Sequence, residues 1–125
     1  MKIGVIIDSF KKDFRESIES AAAIGADGVQ IGAKFLIGRK DELAGNATEF
    51  SVVPVSEAKK IIEASGIKVS AVCGDFGCDM YYRKERALID DEKRLLEMAK
   101  ELGTNIVTTH IGNVNATPCS RVFLR

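Results

Sequence analysis

Three stretches of this chain end in the same way, and that shared ending limits what the chain can become. They are Gly28-Val-Gln-Ile-Gly32, Ile67-Lys-Val-Ser-Ala-Val-Cys-Gly74 and Asn105-Ile-Val-Thr-Thr-His-Ile-Gly112. Each is a β-branched apolar run that reaches a polar residue or cysteine and closes on glycine, and the closing glycines lie about forty residues apart. A continuous apolar run reads as a strand buried in a parallel sheet. A polar side chain followed by glycine at its end is how such a sheet delivers a functional group to its carboxyl edge, where ligands bind. The last stretch carries His110, the only histidine in the chain.

The connections between these runs read as helices. Lys2 to Ile7 forms a first strand. Asp13 and Glu16 after it resemble a capping box, and Phe14, Ile18, Ala21 and Ala22 share one helical face until Gly25. Ala33 to Ser51 reads as a long loop broken by Gly38, Gly45 and Asn46. Pro54 suits the first turn of a second helix, with Ala58, Ile61, Ile62 and Ala64 as its apolar positions and Gly66 as its stop. Gly74 to Asp79 reads as a second loop. A third helix is expected to begin near Asp90 or Asp91, to bury Leu95, Leu96, Ala99 and Leu102, and to stop at Gly103; its charges read as a solvated face. The order is βαβαβαβ. A faint repeat supports it: Ala23-Ile-Gly-Ala-Asp-Gly-Val-Gln-Ile-Gly32 echoes Glu101-Leu-Gly-Thr-Asn-Ile-Val-Thr-Thr-His110. Such repetition suits either half of a (β/α)8 barrel or a small open sheet of flavodoxin-like type.

The 125 residues are a one-domain length, and 46% apolar with 29% charged residues belongs to globular proteins. Eighteen basic residues balance eighteen acidic ones, which argues against nucleic acid or a membrane surface as partner. The apolar start stops at Asp8, too short for a secretion signal, and no window approaches a membrane span. Three cysteines without an export signal are expected to be reduced thiols of a cytoplasmic protein, so the sequons at Asn46 and Asn115 carry no weight.

Three phrases then make the pattern specific: Ala22-Ala-Ile-Gly-Ala-Asp-Gly-Val-Gln-Ile31, Gly66-Ile-Lys-Val-Ser-Ala-Val-Cys-Gly-Asp-Phe-Gly77 and Ala99-Lys-Glu-Leu-Gly-Thr-Asn-Ile-Val-Thr-Thr-His-Ile-Gly112. Together, and in this order, they resemble the sugar phosphate isomerase/epimerase family, whose fold is the xylose-isomerase-like TIM barrel. The resemblance spans roughly residues 1 to 112. It implies isomerisation or epimerisation beside a sugar carbonyl, with a sugar or sugar phosphate as partner and a divalent metal (Mn, Mg or Zn) in the full-length family. A TIM barrel needs about 250 residues, and the family's metal-binding Glu, Asp, His and Glu come mainly from strands five to eight. The expectation is therefore an N-terminal half-barrel over 1–112 and an irregular tail over 113–125. Such a chain is expected to hold no metal cofactor of its own, to be inactive alone and to form a homo-oligomer. A self-associating half-barrel that acts as a binding module is the alternative.

The candidate site residues are His110, Asp75, Gln30 and Asp8. His110 is placed to polarise a carbonyl or bind substrate; the plainer reading is a satisfied histidine at a strand end. The resemblance implies a pocket-lining histidine after strand four. Asp75 either bonds a sugar hydroxyl or forms an Asx turn between Gly74 and Gly77. Gln30 points to the barrel mouth or is buried and paired. Asp8 is a ligand group at the end of strand one or caps the approach to the helix. A Cys3His zinc site from Cys73, Cys78, Cys119 and His110 is disfavoured, because Cys73 sits within a strand and the spacing is not that of a zinc finger. No G-x-G-x-x-G follows the first strand and no G-K-[ST] occurs, which disfavours nucleotide binding.

Overall fold

The computed structural model describes residues 1–37, 52–75 and 86–109. Among these residues four strands, β1 (Gly4–Ile6), β2 (Gly28–Gly32), β3 (Lys68–Cys73) and β4 (Val107–Thr108), form one parallel sheet in the order β1-β2-β3-β4. The helices are α1 (Phe14–Ala23), the single turn α2 (Ala33–Leu36), α3 (Val55–Ser65) and α4 (Arg86–Glu101). The chain is thus an α/β protein with the βαβαβαβ arrangement of one half of a (β/α)8 barrel. A strand order that follows the sequence has no switch point, so the flavodoxin-like alternative, whose first two strands are exchanged, is overturned.

Local chemistry accounts for the helix ends. Asp13 lies in extended backbone and its Oδ1 accepts the Glu16 amide at 2.8 Å, fixing the start of α1. At its other end, the Ala26 amide reaches Ala21 O while the Gly25 amide reaches Ala22 O. The same pair of bonds closes α4, from Thr104 to Ala99 and from Gly103 to Lys100. Both are Schellman closures with a left-handed glycine, at φ 76° and 85°. The internal echo in the sequence is therefore a repeated helix stop feeding a strand.

The core lies between the sheet and the helices. Val29 and Ile31 of β2 and Val69 and Val72 of β3 face Phe14 and Ile18 of α1, Ile61 and Ile62 of α3, and Leu88 and Leu95 of α4. Period-2 alternation sends the intervening residues to the opposite face. Ile6, Gln30 and Ala71 are aligned across β1, β2 and β3, with Gly32, Cys73 and Thr108 forming the next layer up. An extra residue in β3, Ser70, breaks the register between Val29 and Gln30, and its hydroxyl donates to Val29 O at 2.9 Å. Such bulges increase local bending, as a curving sheet needs.

Several expectations are corrected. The first strand ends at Ile6, and Ile7 enters a 3-10 turn (Ile7–Phe10) with its side chain fully buried. The stretch after Gly32 begins as helix, because Ala33, Phe35 and Leu36 are core residues; Phe35 meets Phe14 edge-on at 5.7 Å. Pro54 caps α3 from outside its first turn. Ala64 is exposed. α4 starts at Arg86, ahead of Asp90, because Leu88 opens its buried stripe; Leu96 falls off that stripe and is 55% exposed. Among the described residues no helix is long and apolar enough to cross a membrane.

Candidate functional site at the carboxyl edge

β1, β2 and β3 end on Asp8, Lys34 and Asp75 or their near neighbours, so parallel topology gathers these groups at one edge. Asp8 stands in the 3-10 turn after β1, where its carboxylate meets the Lys34 ammonium at 2.8 Å. Lys34 belongs to α2, directly after β2, and its Nζ also lies 5.3 Å from the centre of the Phe35 ring. The pair is partly open, with 25% of the Asp8 side chain and 35% of the Lys34 side chain in solvent.

Gly32 makes this arrangement possible. A Cβ there would come within 2.6 Å of Asp8 Oδ1 and 2.7 Å of Oδ2, so the carboxylate occupies the space a side chain would take. Gly32 shares with Gln30 and Cys73 the face of the sheet opposite the helices, which places Asp8 on that face. Gln30, half-buried, lies one layer below. Asp8 stands just beyond the end of β1, and α1 takes its cap from Asp13.

A second carboxylate sits on a second strand-end glycine. Glu92 of α4 lies so close to Gly74 that a Cβ would fall 2.6 Å from Oε2 and 2.8 Å from Oε1. Glu92 Oε1 accepts the Thr109 hydroxyl at 2.9 Å, and Thr109 Oγ1 is also 3.2 Å from Gly74 O. The Gly74 amide donates to Thr108 O, so the ends of β3 and β4 are tied together. Gly74 falls on the helix-covered side by alternation from Cys73, and Glu92 reaches it from the buried stripe of α4. The reading of the α4 charges as a purely solvated face is corrected for Glu92 and Asp91, both half-buried.

Asp75 follows Gly74 and is exposed at the same edge. His110 lies outside the described residues, as do Cys78 and Cys119; Cys73 is a free, half-buried thiol. Among the described residues no three His, Cys, Asp or Glu side chains come together as a metal would need, and the Asp8 carboxylate is engaged by an ammonium. The described residues therefore do not fit a divalent ion. An open groove of about 530 Å³ between α1 and α3 is lined by Arg15, Ser56, Glu57 and Lys60 among others, with none of the strand-end residues on its rim. These four side chains are exposed and belong to the solvated helical surface.

Lys34, Glu92 and Thr109 are the site residues that sequence reasoning missed. Lys34 was hidden by reading the stretch after Gly32 as loop. Glu92 carried a usable signal: with Leu88, Leu95, Ala99 and Leu102 it completes an apolar stripe at helical spacing, and a carboxylate there requires a partner.

Comparison with known proteins adds one partial match. The chain is 37% identical over 60 residues to the orotidine 5'-phosphate decarboxylase of Sulfurisphaera tokodaii. The matched part is 48% of this chain and 28% of that enzyme, so the chain spans well under half of the relative it matches. No family model matches the chain.

Proposed function

We propose that this chain binds a phosphorylated sugar at the carboxyl edge of its sheet and contributes to chemistry beside the sugar's carbonyl, as in a sugar phosphate isomerase or epimerase. The observation that carries the reading is the Asp8–Lys34 pair seated on Gly32. An ammonium held by a carboxylate at the end of adjacent parallel strands is a fixed positive group with a defined direction. Such a group stabilises negative charge developing on a carbonyl oxygen as the neighbouring carbon loses its proton. It also serves as a point charge for a phosphate. Asp75 and Gln30 supply hydrogen-bond partners for sugar hydroxyls in this reading, and His110 is a further candidate donor.

The partial likeness to a decarboxylase favours a second reading. Orotidine 5'-phosphate is itself a ribose phosphate derivative, and losing carbon dioxide leaves an electron pair on carbon that a nearby ammonium stabilises and a proton then quenches. The two readings share the phosphorylated sugar and differ in what it carries. A third possibility, binding without turnover, uses the same edge.

Titration calorimetry separates them. Aldose and ketose phosphates are expected to bind, unphosphorylated sugars much more weakly, and Lys34→Ala is expected to lower phosphate-ester affinity tenfold or more. Uridine 5'-monophosphate binding in preference to simple sugar phosphates selects the decarboxylase-like reading. Binding of neither class, or binding indifferent to Lys34→Ala, removes both. Proton exchange beside the carbonyl, followed by deuterium uptake, distinguishes catalysis from binding alone.

A further inference from the structure

The exposed aliphatic side chains gather at the two sides of the sheet. Among the described residues β1 and β4 are its edge strands. Ile3 and Ile6 on the β1 side are 55% and 50% exposed, while Ile106, Ile89 and Leu96 on the β4 side are 51%, 55% and 55% exposed. The other exposed large apolar residues described are Met1, Ile24 at the end of α1, and Val52 ahead of α3.

Their placement is ordered. The Val72–Val107 pairing puts Ile106 in line with Ala71, and so in the same layer as Ile6 and Gln30. That layer has exposed aliphatic residues at both ends, with half-buried Gln30 and buried Ala71 between them. On the helix side, Ile89 and Leu96 are one heptad apart along one flank of α4. The opposite flank carries half-buried Asp91 and Met98, with Met98 packed against the core. Ile3 occupies the corresponding outer position beside β1, where no described helix covers it.

We propose that these two sides are docking surfaces for one another in a head-to-tail pair of copies. β4 of each copy lies beside β1 of the other in parallel register, about an axis running along the strands. Two four-stranded sheets in sequential order then close into eight strands with no edge left, which removes the hazard of exposed edges. Ile6 and Ile106 meet inside each junction; Ile3, Ile89 and Leu96 meet outside it. At roughly 100 Å² apiece, these side chains bring about 1,000 Å² of aliphatic surface to the two junctions of the pair. The strand backbones and Met1 carry the total to the roughly 1,200 Å² at which stable interfaces begin.

Charge variants with a mixing step provide the test. Light scattering on the full chain at micromolar concentration is expected to give a dimer. Ile3→Arg alone and Leu96→Glu alone are expected to be monomers with unchanged helical circular dichroism, because each homodimer would carry the charge in both junctions. Mixing the two is expected to restore a dimer of one copy each, since one junction is then untouched and the other sets Arg against Glu. Val52→Arg, in the connection between the two central strands, is expected to remain dimeric. Should a charge variant lose its helical signal, Ile3→Gln and Leu96→Gln replace the pair, read as a tenfold or greater weakening of the dimer that mixing relieves. A monomer at high concentration, an undefined aggregate, or a dimer indifferent to both variants overturns the proposal. Dissociation without rescue on mixing also overturns it, because that is the behaviour of like edges pairing with like. Coverage of both edges by further residues of a longer chain would show as a stable monomer.

Discussion

Asp8 on Gly32 and Glu92 on Gly74 are the same device used on opposite faces of one sheet. In each, a glycine ends a strand and a carboxylate fills the space its Cβ would take, with an oxygen 2.6 Å from that position. On the face opposite the helices, Asp8 joins β1 to the start of α2 through Lys34, and both side chains reach solvent. On the helix-covered face, Glu92 joins α4 to β3 and β4 through the Thr109 hydroxyl. The Asp8–Lys34 pair has solvent in front of it, where its ammonium can meet a ligand. Glu92, bonded to Thr109 beside the two strand ends, holds the edge in place. The same contact therefore separates into a binding group and a brace according to which face the strand-end glycine presents.

The strongest break of this comparison is Gly74→Ala. The added methyl displaces the half-buried Glu92 carboxylate and breaks its bond with the Thr109 hydroxyl. Losing a hydrogen bond to a charged group at a partly open site costs about 1–2 kcal/mol. The check is urea unfolding, with Glu92→Ala and the double variant measured alongside. Removing the carboxylate makes room for the methyl, so the double variant is expected to be more stable than the sum of the single losses. Additive losses would mean that the contact between Gly74 and Glu92 is not what the methyl disturbs.

Gly32→Ala asks the same question on the other face, and the expected answer differs. Asp8 has solvent to move into, so the stability loss is expected below about 1 kcal/mol, in keeping with a partly exposed ion pair. Binding of a sugar phosphate is expected to fall tenfold or more, because Lys34 loses the group that aims it. A large stability loss with unchanged binding would reverse the roles assigned to the two carboxylates.

These two sites also show what the sequence could and could not reveal. The strand-end glycines were legible, since an apolar β-branched run closing on glycine has few other readings. The βαβ alternation followed from the same spacing, and Asp8 was expected directly after the first strand, which ends two residues before it. The partners were not legible. Lys34 is held beside Asp8 by pairing between residues 26 positions apart in sequence, which no local pattern reports. Leu96 was misassigned because the helix was started four residues late. With Leu88 included, the buried stripe rotates and puts Glu92 in and Leu96 out.

Glu92→Gln is a finer probe of the brace. The amide keeps an oxygen for the Thr109 hydroxyl but loses the charge, and charge-assisted hydrogen bonds are about twice as strong as neutral ones. The expected loss is about 0.5–1 kcal/mol in thermal or urea unfolding, smaller than for Glu92→Ala, with sugar phosphate affinity unchanged. A tenfold loss of affinity at constant stability would move Glu92 from the brace to the binding group.

The smallest expected effect on stability comes from Asp8→Asn. The Asp8–Lys34 pair is 25% and 35% exposed on its two sides, and partly exposed pairs of this kind contribute about 0–1 kcal/mol. An asparagine oxygen still accepts from the lysine, so the free energy of unfolding is expected to change by about 0.5 kcal/mol or less. The effect on a phosphate ester has two opposing parts. Removing a negative charge from the edge raises the local potential and favours the anion; loosening Lys34 removes the direction of the ammonium and disfavours it. If Lys34 acts mainly as a point charge, Asp8→Asn binds a sugar phosphate as tightly as the parent or tighter, and the gain shrinks with added salt. If its orientation matters, affinity falls in spite of the extra positive charge, at low and high salt alike. Calorimetry at two ionic strengths on Asp8→Asn and Lys34→Ala decides between them. A parent-like affinity in both variants would show that the ligand does not sit over Gly32.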